Sequence, residues 1–453
     1  MCAPMCADLD TIAAVATPAG HGAIGVVRVS GPLVRTIARR ITGSTLTPRR
    51  VSHRVFLEDG DQPLDIGLAF FLEGPHSFTG EDVLELQGHG SPIVMGLLLD
   101  RVCALGARLA RPGEFSERAF LNGKIDLTQA EAVADLIGSL TTRAAHGALH
   151  SLQGEFSLRV RQVLEALIGL RARIEGCLDF SEEDVARFDS GALEDTLSDI
   201  LTGIERLMCD AHRGQVLRDG ARVAIAGRPN VGKSSLLNRL ARRECAIVTE
   251  YPGTTRDAIH VQLDIDGLAV ELFDTAGVRE TEDPIEQEGI RRTEAVVQGA
   301  DHVLWVSDAA DPTQDPGTAA MALGDVCRVT EVHNKIDLVG MAPCLEHGPT
   351  HSHVYLSAKT GAGLPLLERH LREAAGLSDV ETGGFSARRR HIGALGRARD
   401  ALRDARDAAE ARAGEEIIAE HLRMAQRELS EITGEFTSEE LLGEIFSTFC
   451  IGK

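Results

Sequence analysis

The chain has 453 residues, 43% of them hydrophobic, and its 47 basic and 68 acidic side chains give a formal net charge of −21. That length points to about two to four units of roughly 150 residues rather than one core, and the charge repels phosphate backbones, so a nucleic-acid partner must meet a local basic patch. No apolar run approaches the roughly 18 residues of a membrane helix, MCAPMCADLD is no secretory signal, and scattered cysteines without a C-x-x-C fit reduced thiols, so a cytoplasmic protein is expected.

Residues 8 to about 122 mix short β-branched runs (TIAAVATPAG, AIGVVRVSG, DVLELQGHG) with Gly/Pro turns and one helical stretch, PIVMGLLLDRVCAL. This texture predicts an α+β domain over 1–122. Within it, Gly20 to Gly25 spell G-x-G-x-x-G, but VVRVSG follows as a strand, not a helix. No helix N-terminus is then available for a pyrophosphate, and a turn is expected.

From about residue 124 apolar positions recur three and four apart without proline, the pattern of long amphipathic helices. The same texture returns over 388–446. A helical domain in two segments, 123–219 and 378–453, follows. Between them ARVAIAG begins a strand and helix alternation, so an inserted doubly wound α/β domain is placed at 220–377. Gly220 and the Gly383, Gly384 pair are the expected joints. The densest basic cluster, Arg388, Arg389, Arg390 and His391, is expected to be a solvated helix start.

The inserted domain carries the strongest signal. GRPNVGKS, Gly227 to Ser234, stands between a strand and a helix and matches G-x-x-x-x-G-K-[ST]. In that loop the backbone N–H groups of Asn230, Val231 and Gly232 close on phosphate. Lys233 reaches the β and γ phosphates, Ser234 ligates Mg²⁺, and Ser235 completes the expected GTP-binding stretch. Downstream, Asp274, Thr275, Ala276 and Gly277 form DTAG, where an aspartate reaches the Mg²⁺ shell and a glycine N–H the γ-phosphate. Asn334, Lys335 and Asp337 belong to N-K-x-D, whose aspartate accepts both N–H donors on the guanine edge. Ser357, Ala358 and Lys359 supply a backbone donor for the guanine oxygen. Four such segments in order predict a GTPase.

Thr249, Glu250, Tyr251, Pro252, Gly253, Thr254 and Thr255 form the intervening switch, with Thr255 as the second Mg²⁺ ligand. Val278 follows DTAG and cannot orient water, so Glu286 in RETEDPIEQEG is the candidate catalytic group, ahead of Arg279 and Glu282. The alternative is a solvated acidic loop. The chain closes with FSTFCIGK. Ile451, Gly452 and Lys453 after Cys450, and acidic residues before it, do not suit prenylation. A buried thiol or a place in a site remain.

These residues, together with SFTGEDVLELQGHG, RPGEFSERAFLNGKIDLTQAEA, GGFSARRRH, LSEITGEFTSEELLGEIF and FCIGK, resemble the MnmE/TrmE family of tRNA-modification GTPases over nearly the whole chain. The resemblance implies an N-terminal folate-binding domain that dimerises, a discontinuous helical domain and an inserted P-loop GTPase domain. It implies K⁺-stimulated pairing of GTPase domains, with K⁺ on Asn230, Thr249, Tyr251 and Thr254, and it gives Glu286 the catalytic role. It also implies an FAD-dependent partner, tRNA as substrate, and a 5,10-methylene or 5-formyl tetrahydrofolate held by Arg28, Glu85, Lys124 and Lys453. Cys450 then participates in the modification chemistry, although for Arg28 and Glu85 strand alternation, and for Cys450 a small apolar pocket, are alternatives.

The rivals are a ribosome-assembly GTPase and a membrane-remodelling GTPase. The first usually carries an RNA-binding module, and neither a KH-like clamp nor RRM aromatics occur here. The second lacks a lipid anchor or a basic amphipathic helix.

Overall fold

The structure, a computed structural model, describes residues 10–179, 190–243, 260–274, 300–311, 328–348, 351–377, 384–435, 439–450 and 452. These form two compact units: Met1–Ala134 with Val160–Glu175 and Ala419–Lys453, and Asp135–Arg159 with Gly176–Ile418.

The first unit is built on β1 (Ile12–Val15), β2 (Gly25–Ser30), β3 (Ser52–Leu57), β4 (Pro63–Leu72), β5 (Val83–Gly88) and β6 (Arg108–Leu109), in the order β3-β4-β5-β2-β1-β6. Alternation along β2 and β5 sends Val27, Val29, Leu84 and Leu86 into a core with Ile37 and Ile41 of α1 (Val34–Thr42) and Leu98 of α2 (Pro92–Ala104). The opposite face places Ile12 and Ala14 against Phe115 of α3 (Glu114–Leu121). The G-x-G-x-x-G stretch leads straight into β2, which pairs antiparallel with β1, so the turn reading holds. Leu127 and Ala130 of α4 (Leu127–Ile137) gather with Phe446 and Phe449 at the end of the C-terminal helix Glu439–Ser447.

In the second unit α5 (Thr142–Leu152) is capped by Thr141, whose Oγ1 accepts from the Ala144 N–H at 3.1 Å. Helix α6 (Glu155–Asp179) follows, its residues 160–175 belonging to the first unit, and then the long helix α7 (Ser190–Asp219) of the second. The sheet then takes β7 (Ala221–Ala226), β8 (His260–Ile265), β9 (Leu268–Asp274), β10 (His302–Asp308), β11 (Arg328–Asn334), β12 (Cys344–His347) and β13 (Ser352–Tyr355) in the order β12-β13-β11-β10-β7-β9-β8. Only the edge strands β8 and β12 run antiparallel. β7 lies between β9 and β10, where the winding reverses, and its carboxyl end opens at the crevice in which such sheets bind ligands. Helices α8 (Lys233–Arg243), α9 (Ile336–Val339) and α10 (Leu364–Ala374) complete this part, and α11 (Arg389–Glu410) packs along α7 through Ala394, Ala398, Ala401 and Ala405. The α+β, helical and doubly wound α/β parts expected from the sequence are all present.

One expectation is corrected. The basic cluster does start a helix, yet it is not simply solvated. Arg388 donates from Nη2 to Asp135 Oδ1 at 2.7 Å, Arg218 Nε donates to the same oxygen at 2.8 Å, and Ser386 Oγ donates to Oδ2 at 2.7 Å. His391 is buried beside the ring of Phe156, which stacks on Phe385. A buried carboxylate needs paired donors, and this cluster supplies them.

Candidate functional site

β7 is buried from Val223 to Ala226 and delivers the chain into the loop 227–232, after which α8 begins at Lys233. Asn230 is exposed and sits at φ 65°, which turns the loop so that successive N–H groups can line a concavity. Lys233 lies back across this loop, donating from Nζ to the carbonyls of Gly227 (2.7 Å) and Arg228 (2.8 Å). Ser234 and Ser235 are exposed in the first turn of α8, where backbone N–H groups and the helix dipole favour an anion. Asp274 closes β9 with its backbone in register with Ile225 of β7.

The N-K-x-D segment leaves β11 and meets that loop. Asn334, 2% exposed, donates from Nδ2 to the Val231 carbonyl at 2.9 Å and accepts at Oδ1 from the Ala358 N–H at 2.9 Å. Lys335 donates to the Asn230 carbonyl (2.8 Å) and to Asp308 Oδ2 (2.7 Å). Burial pushes the Asp308 carboxyl up, but the Lys335 and Ala310 hydrogen bonds outweigh it and hold the group below the ordinary carboxylate range. Asp337 is exposed, with Oδ1 fixed at 2.6 Å by the hydroxyl of the fully buried Ser357. Lys359 follows Ala358 in the same turn. The structure therefore gathers Asn230 to Ser235 with Asn334, Lys335, Asp337, Ser357 and Ala358 at one end of the sheet. Thr249 to Thr255, Thr275 to Gly277 and Glu286 lie outside the described residues.

Among the residues expected to hold folate, Arg28 and Glu85 are cross-strand partners on β2 and β5. Arg28 contacts Glu85 Oε1 from Nε at 2.8 Å and from Nη2 at 2.7 Å, and its guanidinium stands 5.9 Å from the Phe115 ring centre. Glu85 Oε2 accepts no hydrogen bond among the described residues, which leaves an acceptor beside a cation and an aromatic face. Lys124 is exposed, donates to the Pro75 carbonyl at 2.8 Å, and makes no direct contact with that pair. The C-terminal tail arrives next to the pair. The Gly113 N–H donates to the Cys450 carbonyl at 3.4 Å, and Arg28 Nη1 donates to the Gly452 carbonyl at 3.4 Å. Cys450 is a free thiol and is exposed, not enclosed in an apolar pocket. Lys453 lies outside the described residues.

A family model for the N-terminus of the GTP-binding protein TrmE matches residues 11–124, and a model of the MnmE helical domain matches residues 127–450. The tRNA modification GTPase MnmE of Nitrosococcus oceani is 52% identical over 445 residues, covering 98% of this chain and 97% of that one. That of Sodalis glossinidius is 48% identical over 450 residues, covering 98% and 99%, and that of Pseudomonas fluorescens 50% identical over 456 residues, covering 99% and 100%. The chain belongs to the MnmE family of tRNA modification GTPases. Among solved structures, the G domain of the FeoB iron transporter of T. maritima is 25% identical over 34% of this chain and 98% of that one; its TM-score of 0.26 is too low to weigh in the assignment.

The motifs of this MnmE-family chain did not reveal every residue at the two sites. Asp308, the partner of Lys335, belongs to no tetrapeptide; its only signal is its position at the end of the apolar strand HVLWVSD. Phe115 and Gly113, which meet Arg28 and the tail, could have been suspected only from RPGEFSERAF as part of the resemblance.

Proposed function

We propose that this protein couples GTP hydrolysis to the attachment of a carboxymethylaminomethyl or aminomethyl group to carbon 5 of the wobble uridine in certain tRNAs. It would act in the cytoplasm as a homodimer, with an FAD-dependent partner in a heterotetramer or larger complex. Residues 1–122 would bind folate and dimerise, 123–219 and 378–453 would form the helical domain, and 220–377 would be the GTPase domain. When bound, Mg²⁺ and K⁺ supply positive charge around the phosphates, and a one-carbon tetrahydrofolate, as the 5,10-methylene or 5-formyl form, supplies the carbon.

The chain's own residues would divide the work. Loop N–H groups from Asn230 to Gly232 cradle phosphate, and Lys233 exchanges its two carbonyl contacts for phosphate oxygens. The exposed Ser234 hydroxyl and Thr255 face Mg²⁺, and Asn230, Thr249, Tyr251 and Thr254 offer neutral oxygens suited to K⁺. Asp337, fixed by Ser357, accepts from guanine, and Glu286 orients the attacking water. In the other unit Glu85 accepts pterin N–H donors, Arg28, Lys124 and Lys453 meet the carboxylates of the folate tail, and Cys450 takes part in the modification chemistry.

The observation that carries this reading is the tail itself. An exposed thiol two residues from the Gly452 carbonyl, which Arg28 holds, has no evident purpose in a GTPase switch but suits chemistry beside a one-carbon donor. Nucleoside mass spectrometry of tRNA from cells lacking the chain, rescued by wild type or by Cys450→Ser, tests it. Loss of the carbon-5 group restored only by wild type is expected. Intact wobble uridines without the chain would favour the ribosome-assembly reading.

A further inference from the structure

In the second unit, Val332 of β11 and Val354 of β13 face the main core of the sheet. Alternation therefore puts Glu331, His333 and His353 together on the other face, with Glu331 and His353 directly opposite one another across the two strands. Glu331 is 4% exposed, whereas the His353 side chain remains 32% exposed and offers an approach. This cluster is distinct from the nucleotide loops and from the tail site.

We propose that Glu331, His333 and His353 form a binding site for a divalent d-block cation of the Zn²⁺ class. Three separations support it. Glu331 Oε2 lies 3.2 Å from His353 Nδ1 and 3.8 Å from His333 Nε2, and the two nitrogens are 3.3 Å apart. Ligands at about 2.0–2.2 Å from a tetrahedral ion stand roughly 3.3–3.6 Å from one another, so one ion fits among these three atoms with little adjustment. The imidazole rings lie within 14° of parallel.

The surroundings are those of a ligand set. His333 is half-buried, 3.3 Å from His353 through Nε2. Its other nitrogen, Nδ1, is 3.0 Å from Ser307 Oγ, and its face stacks on Tyr355 with ring centres 4.5 Å apart. Such outer contacts fix the tautomer and orientation of a metal-bound histidine. Glu346, cross-strand from His353 on β12, adds negative charge nearby. Two imidazoles and one carboxylate select Zn²⁺, Co²⁺, Ni²⁺ or Cu²⁺ over Mg²⁺, which prefers an oxygen octahedron. Water completes the coordination. The ion would clamp β11 to β13, the strands that lead into N-K-x-D and S-A-K.

The test is a Co²⁺ titration of the full-length protein, with Mg²⁺ and GDP in excess so that the nucleotide site is filled, read by visible d–d absorption. Wild type should develop the spectrum of a nitrogen and oxygen site and lose it when Zn²⁺ is added. Losing an outer-shell partner typically weakens metal binding 10–100-fold, so His353→Gln and Glu331→Gln, each checked for folding by circular dichroism, should each weaken it by about 100-fold or more. No d–d absorption in wild type, affinity unchanged in both variants, or a thiolate charge-transfer band placing the ion on cysteines would each overturn the proposal. If neither variant folds, anomalous scattering from cobalt-soaked wild-type crystals decides. A peak bonded to the three side chains supports the site, and the absence of a peak there refutes it.

Discussion

Asn334 and Val231 are joined by a 2.9 Å hydrogen bond from a side-chain amide to a loop carbonyl, and the same amide accepts from the Ala358 N–H. The first residue of N-K-x-D is thus a strut between the phosphate loop and the guanine-facing turn. Gly232 makes room for it: its φ is 100°, and a Cβ there would stand 2.3 Å from Asn334 Nδ2. Asn334→Ala leaves a carbonyl and an N–H unpaired in buried surroundings, at about 1–3 kcal/mol each. GDP affinity, titrated with a fluorescent analogue, should fall by about tenfold or more. Gly232→Ala should do the same by pushing the strut aside. The double variant should cost less than the sum, because without the amide there is less to displace. Additive losses would show that the two residues act separately.

Arg388 gives a second expectation. Its side chain is 15% exposed and shares Asp135 with Arg218. Breaking a buried ion pair from one side typically costs about 3–5 kcal/mol, and less is expected here because Arg218 and Ser386 still hold Asp135. Arg388→Ala should lower the urea midpoint of the second unit while leaving the salt dependence of tRNA binding unchanged. Loss of one phosphate contact would instead reduce the slope of log K against log salt by about 1, and that result would give the residue an RNA-facing role.

Much of this was legible from the sequence because loops that hold phosphate and guanine are local. GRPNVGKS, N-K-x-D and S-A-K each place their residues by short-range geometry, and the structure brings those segments together. Contacts that depend on register and on packing between distant segments were not legible. Arg28 and Glu85 looked like separate alternating positions until β2 and β5 aligned them as partners. Arg388 looked solvated because Asp135 is far away in sequence. Glu331, His333 and His353 form no spaced motif, since two strands in parallel register assemble them.

The tail gives a third expectation. Gly452 sits at φ 95°, and a Cβ there would lie 2.6 Å from the Val15 carbonyl. Gly452→Ala should displace the last residues from Arg28 without unfolding the domain, since the Phe446 and Phe449 anchors precede it. On the proposed function, GTP hydrolysis should stay near wild type while carbon-5 modification of tRNA falls by about tenfold or more, tenfold being about 1.4 kcal/mol. Full modification by this variant would place the tail outside the reacting site.

The two units should weaken over different acid windows. In the first, burial raises Asp10 and Glu114, but Arg108 and Arg118 outweigh it and hold both carboxyls below their ordinary values of 3.8 and 4.5. A carboxyl depressed in the folded state stabilises above its unfolded value, and that contribution disappears only as pH falls below about 4.5 through the lower folded value. In the second unit His302 is buried, its Nε2 2.8 Å from Thr330 Oγ1, which in turn lies 2.8 Å from His370 Nε2. Burial, helped by His370 and Arg328, pushes His302 from 6.5 down to about 4. The unfolded chain therefore takes up the proton first, so stability is full above pH 6.5 and declines as pH falls toward 4. At 1.36 kcal/mol per unit, the step from pH 6.5 to 5 removes about 2 kcal/mol. Trp305, the chain's single tryptophan, sits on β10 of this unit and reports its unfolding. Its fluorescence in urea should show a clear fall in midpoint between pH 7 and pH 5, with a smaller fall in His302→Gln. Equal midpoints at both pH values in wild type would mean that His302 titrates normally in the folded state.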